Sequence, residues 1–149
     1  EPPRNIYTLK TNYFIAPKSI ETENLGYEKN NIKRGSFSDL ILGGEYFEAA
    51  KQIIYLESSD TILEEFQDWN DFYYWASFVY YNLGNYGAAL ENIEKISDQK
   101  ESPEILFLQA LIIREGGNPE DSNLILKHII KEFENNDYSE YARDILNEK

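Results

Sequence analysis

One histidine, His128, is the whole supply of imidazole in this chain, and there is no cysteine. Thiolate nucleophiles, zinc sites with several sulfur or imidazole ligands, and cysteine–histidine pairs therefore have no residues to be built from. His128 falls between Lys127 and Ile129, off the Leu126, Ile129, Phe133 stripe, and reads as an exposed or edge histidine. The acidic run Asp60, Glu64, Glu65, Asp68, Asp71 contains no basic residue and could attract a cation or a basic partner. It lacks the alternate-residue oxygens and central glycine of a calcium loop, so a solvated face is the expectation. Gly43–Gly44 and Gly116–Gly117 lack the lysine and hydroxyl residue that continue a phosphate-binding loop, and read as turns. The expectation is no catalytic residue, no metal and no cofactor.

The elements that would position any site follow from charge and patterning. Of 149 residues, 14 are basic and 27 acidic, a net charge of −13 that repels nucleic acid backbones and anionic lipid. Residues 1–31 are balanced, with Arg4, Lys10, Lys18 and Lys29 against Glu1, Glu21, Glu23 and Glu28, so the whole deficit lies in 32–149. The first segment also holds Pro2, Pro3, Pro17 and Gly26 among β-forming residues such as Tyr7, Tyr13, Phe14 and Ile15. It reads as an extended N-terminal arm or linker, long enough to fold back on the rest or to mediate self-association. No apolar run approaches the roughly 20 residues that span a bilayer, so no direct membrane insertion is expected. Methionine is absent even at residue 1, so the chain is expected to begin either after processing or as a piece cut from a longer one.

From Ile32 onward the apolar residues recur three and four apart: Ile53, Leu56; Tyr73, Ala76, Tyr80; Ala89, Ile93, Ile96; Leu106, Ala110, Ile113; Leu126, Ile129, Ile130, Phe133; Tyr141, Ala142, Ile145. Ser102–Pro103 and Asn118–Pro119 pair an N-cap acceptor with proline at the first helical position. Thr61 with Glu64 and Asp137 with Glu140 have capping-box spacing. Between successive helices stand GEYFEAA from Gly44, GNYGAAL from Gly84 and GNPEDSN from Gly117. Each glycine is expected to end a helix in the left-handed conformation. Tyr46 and Tyr86 pack beside the turn, and the small residue five positions past the glycine, Ala49, Ala89 or Ser122, lets the next helix cross closely.

The glycine spacings are 84 − 44 = 40 and 117 − 84 = 33, near the 34-residue period of tetratricopeptide repeats. The stretch YYWASFVYYNLGNYGAALENIEKISDQKESP resembles that family at Tyr73, Ala76, Tyr80, Gly84, Tyr86, Ala89, Ile93 and Ile96. A third copy matches at Leu106, Ala110, Ile113, Gly117, Ser122, Leu126 and Ile129. In the first copy Phe37 stands where a small residue is expected and Gly35 interrupts the leading helix, so that helix should be short or shifted. The resemblance implies an all-α fold: a right-handed solenoid of about three hairpins near 32–63, 70–102 and 103–136, with a C-terminal capping helix over 138–147.

The same resemblance implies a concave groove lined by the first helix of each pair. Projected onto this chain, the groove holds Tyr74, Phe78, Tyr81 and Asn82, then Phe107, Leu111, Arg114 and Glu115. Such an aromatic stripe suits docking of a protein segment, and the equal alternative is that the rings are already covered within the chain, the arm with Tyr7, Tyr13, Phe14 and Ile15 being long enough to fold back into the groove. The groove slots that clamp a chaperone's carboxylate tail hold Arg34, Ser38, Trp75, Glu104 and Leu108, and only Arg34 has the right chemistry. The ending with Phe133, Ser139, Tyr141 and Ala142 is similar to repeat endings of bacterial envelope lipoproteins of the outer-membrane assembly and Tol-Pal coordinator type, with Glu134 in place of their proline. The implied function is a non-catalytic adaptor binding another envelope protein, in the periplasm or at the outer membrane, with the cytoplasm as the alternative compartment. The competing function is capture of a small molecule or glycan by Tyr74, Trp75, Phe78 and Tyr81.

Overall fold

A computed structural model describes residues 37–58, 66–97 and 102–147, and all the regular structure among them is α-helical. The arm over 1–31, Gly35 and the Thr61–Glu64 pair lie outside these residues. Seven helices occur among the described residues: α1 Phe37–Leu42, α2 Tyr46–Glu57, α3 Trp69–Asn82, α4 Tyr86–Ile93, α5 Pro103–Glu115, α6 Pro119–Glu132 and α7 Asp137–Leu146. They fall into two compact units, α1–α4 as far as Ile96 and α5–α7 from Ser97 onward.

Three helix pairs are joined by turns of one design. Gly44, Gly84 and Gly117 have φ of 74°, 81° and 110°, a region that a Cβ resists and glycine enters freely. The glycine N–H reaches back to the carbonyl three residues earlier, in Ile41, Tyr81 and Arg114, at 3.0–3.1 Å. The next residue's N–H reaches the carbonyl five residues earlier: Glu45 to Leu40, Asn85 to Tyr80 and Asn118 to Ile113, at 2.8–3.0 Å. This pair of bonds is the Schellman closure, and it satisfies carbonyls that a helix end leaves orphaned. The residue after the glycine then caps the following helix. Asn85 Oδ1 accepts from the Ala88 N–H at 3.1 Å and Asn118 Oδ1 from the Asp121 N–H at 3.2 Å. Glu45, in the same place, makes no side-chain cap.

In the first unit α1 packs on α2, α2 on α3 and α3 on α4. Helix α1 runs from the first described residue, so whether it is short or shifted lies outside the described residues. The bulky Phe37 of α1 is buried with its ring edge-on to Phe66 at 5.1 Å, and Phe66 in turn meets Phe72 of α3 at 5.3 Å. A ring at that position cannot allow a close backbone crossing, so it is accommodated by other rings. Helix α3 starts on Asp68, whose carboxylate accepts from the Asp71 N–H at 2.8 Å, while Asp71 Oδ2 accepts from the Gln67 N–H at 3.0 Å. These two members of the acidic run thus serve as a helix cap.

The crossing of α3 and α4 is close for the reason anticipated. Ala89 is fully buried, and the Ser77 hydroxyl of α3 donates to the Ala89 carbonyl at 2.9 Å. Ser77 stands seven residues before Gly84, where Ala110 stands before Gly117; both are fully buried. Ser77 therefore fills the small slot at the crossing itself, one residue beyond the Ala76 singled out by spacing. Ala49 and Ser122 are also fully buried.

The second unit is a three-helix cluster in which α7 packs against both α5 and α6. Leu126, Ile129, Tyr141, Ala142 and Ile145 are buried there, and each large apolar side chain so placed contributes roughly 1.5–3 kcal/mol. The Ser139 hydroxyl sits between the Ile129 carbonyl, at 3.3 Å, and the Phe133 carbonyl, tying α7 to the end of α6. Helix α7 begins at Asp137, one residue earlier than expected, and its N-cap is Asn136, whose Oδ1 accepts from the Tyr138 N–H at 2.7 Å. Asp137 is a first-turn residue and not the cap; Asn135 takes φ of 64° ahead of it, a conformation asparagine tolerates, and this shifts the start.

Candidate functional site

The proposed groove residues are core residues. Tyr74, Phe78, Tyr81, Phe107 and Leu111 are all buried. Phe78 meets Tyr46 of α2 edge-on at 6.0 Å and Trp75 at 5.2 Å; Tyr74 meets Trp75 at 5.3 Å, and Tyr81 meets Tyr86 at 5.9 Å. Phe107 forms a triangle with Tyr138 and Tyr141, with centroids 5.4–5.8 Å apart. Asn82 and Arg114 are half-buried and engaged within their own units: the Asn82 amide donates to the Phe78 carbonyl at 2.8 Å, and Arg114 to Asn123 Oδ1 at 3.1 Å. Glu115 is half-buried as well.

The rings named for the groove are thus covered, which is the second of the two readings given to that stripe. Helix α3 buries Phe72, Tyr74, Trp75, Ala76, Ser77, Phe78, Val79 and Tyr81. Helix α5 buries Leu106, Phe107, Leu108, Ala110, Leu111 and Ile112. Tyr74, Trp75, Phe78 and Tyr81, the residues named for stacking a small molecule or glycan, are the same buried rings.

Three tyrosine phenols are raised above their ordinary value. Burial raises the Tyr46 phenol above its ordinary value, and burial followed by the Glu57 carboxylate raises Tyr80. Tyr138 is pushed up furthest, first by burial and then by Glu104, Tyr141 and Asp137. All three shifts keep the phenols protonated. His128 is exposed, with its ring against Phe133 at 6.5 Å. Among the described residues no group of three or more His, Asp or Glu is placed to hold a metal ion, and no helix is long and apolar enough to cross a membrane.

Leu42, Trp69, Leu83 and Leu124 are exposed at separate places, but on one helix three large apolar residues are exposed together, and spacing alone did not single them out. Helix α2 turns outward Phe47, 65% exposed, Ile54, 60%, and Tyr55, 65%. At about 100° per residue, Ile54, Phe47, Lys51 and Tyr55 span a stripe about 100° wide, opposite the buried Ala49, Ile53 and Leu56. Lys51 stands within it, with Nζ 3.2 Å from Glu48 Oε2 and 4.9 Å from the Phe47 ring centre. The carboxylates of Glu48 and Glu57, both exposed, border the stripe on its two sides.

Aligning the three hairpins on their turn glycines gives this face an internal control. Three residues past the glycine stand Phe47, Gly87 and Glu120; ten past, Ile54, Glu94 and Lys127; eleven past, Tyr55, Lys95 and His128. The columns of Phe47, Ile54 and Tyr55 thus hold glycine and charged or polar residues in the other two copies, with Glu94 and Lys95 just past the end of α4, while α6 exposes a single apolar residue, Leu124, in the column of Lys51. Column-by-column comparison of the copies would have revealed this difference, because a second helix needs no apolar residue there to fold.

No family model, curated protein or solved structure matches the chain.

Proposed function

We infer that this chain is a non-catalytic protein–protein interaction module whose docking surface is the outer face of α2. The observation that carries this reading is the exposure of Phe47, Ile54 and Tyr55 together on one face, at positions that hold glycine or charged or polar residues in the other two copies, of which α6 exposes only Leu124 nearby. Large apolar side chains held in water on a helix face lose nothing on folding by being charged instead, so their presence is best accounted for by a partner that covers them. Aromatic side chains also dominate interface energetics.

The hairpin turns, the small residues at the crossings and the capping role of α7 support a tetratricopeptide-like architecture, in which the hairpins continue as a right-handed solenoid. The bacterial envelope setting rests on the similarity of the Phe133 to Ala142 ending to envelope lipoproteins, and we propose an envelope protein as the partner. A photo-cross-linking residue placed at Phe47 or Tyr55 in producing cells tests the reading. One dominant protein adduct is expected, lost when Ile54→Glu is added and absent when the probe sits at Lys127 on α6. Equal labelling from α2 and α6, or an adduct indifferent to Ile54→Glu, would refute it.

A further inference from the structure

The chemistry of the partner can be read from the border of the same stripe, an inference that rests on α2 being the docking face. The apolar residues Phe47, Ile54 and Tyr55 lie between two carboxylates, Glu48 on one side and Glu57 on the other, and Glu45 is exposed at the start of the helix. Lys51, the one cation in the stripe, is occupied by Glu48 at 3.2 Å and by the face of Phe47. The chain as a whole carries −13. We propose that α2 docks an amphipathic helix of another protein whose apolar side is flanked by lysine or arginine.

Three features favour that occupant. First, α2 has 12 residues and is about 18 Å long, enough to match three turns of a helix laid alongside it. Second, the carboxylates sit at the edges and not at the centre. In that position they select a partner by charge and speed its arrival, while the apolar centre supplies the affinity. Third, a second copy of this chain would bring the same glutamates and the same large negative charge to the interface. Like charges placed opposite one another cost affinity, and an anionic lipid surface is disfavoured for the same reason.

The experiment is a selection of helical peptides of about 20 residues, displayed from a randomised library, on the full chain. Enriched peptides are expected to place apolar residues at helical spacing and to carry net positive charge. Their affinity should fall at least tenfold on Phe47→Ser with Ile54→Ser, both outward-facing changes whose fold is checked by circular dichroism. It should also fall about tenfold or more on Glu48→Lys with Glu57→Lys, and fall with added salt. Peptides that need Phe47 and Ile54 but ignore the charge reversal would overturn the basic-helix proposal and leave the docking face standing. Peptides that bind the Phe47→Ser, Ile54→Ser protein unchanged would overturn both. A parent chain that sediments as a dimer, with the serine variant monomeric, would assign the face to a second copy and also overturn the proposal.

Discussion

Several buried polar atoms have no hydrogen-bond partner, and the repeat shows how to test their cost. The Ser122 hydroxyl is fully buried and unpaired, at the crossing position where the other two copies have Ala49 and Ala89. An unpaired buried hydroxyl costs on the order of 1 kcal/mol or more, and alanine is the better helix former. Ser122→Ala is therefore expected to raise stability by about 1 kcal/mol in a urea melt; a loss would mean that the hydroxyl is satisfied in solution. Tyr138 supplies a second test. Its phenol is raised above the unfolded value of about 10 by burial and neighbouring carboxylates, so the folded state holds the proton that the unfolded chain releases. That contribution is complete below about pH 10 and lost as the pH rises above it. Thermal melts across the alkaline range should show a falling melting temperature, and Tyr138→Phe should make the fall shallower.

At the scale of the element, the two-residue turn and the small-residue crossing decide the hairpin. Ala89→Leu puts a branched side chain where the Ser77 hydroxyl meets the Ala89 carbonyl, and overpacking of that kind costs about 1–3 kcal/mol. The expected outcome is a lowered denaturation midpoint with the helical circular dichroism retained at low denaturant; an unchanged midpoint would contradict the crossing. Such features were legible in the sequence because they are local: a left-handed glycine, a cap acceptor and a small residue at fixed offsets obey rules that need no tertiary context. Asp137 was mistaken for a cap because Asn136 and Asp137 are both good acceptors, and only the left-handed Asn135 chooses between them. Whether the rings of α3 are open or covered was not legible in the sequence, because exposure depends on what packs on a helix and not on its spacing. The stripe on α2 was missed for the converse reason: Phe47, Ile54 and Tyr55 look like core residues until Ala49, Ile53 and Leu56 are seen to fill the core.

For the whole molecule, charge is the dominant long-range term. A chain at −13 repels itself when compact, and that repulsion is screened within about 10 Å at 0.1 M salt. Resistance to urea is accordingly expected to rise as sodium chloride increases from low to moderate concentration, while binding of a basic partner weakens over the same range. Salt-insensitive stability would show that the carboxylates are already offset by close pairing.

The turns leave one more mark on the molecule. Because the residue after each glycine both closes one helix and starts the next, the hairpins have no slack, and a single inserted residue there would break two sets of end bonds together. The unequal intervals of 84 − 44 = 40 and 117 − 84 = 33 residues, measured between these joints, are therefore taken up beyond them, chiefly in helix length: α2 and α3 have 12 and 14 residues where α4 and α5 have 8 and 13.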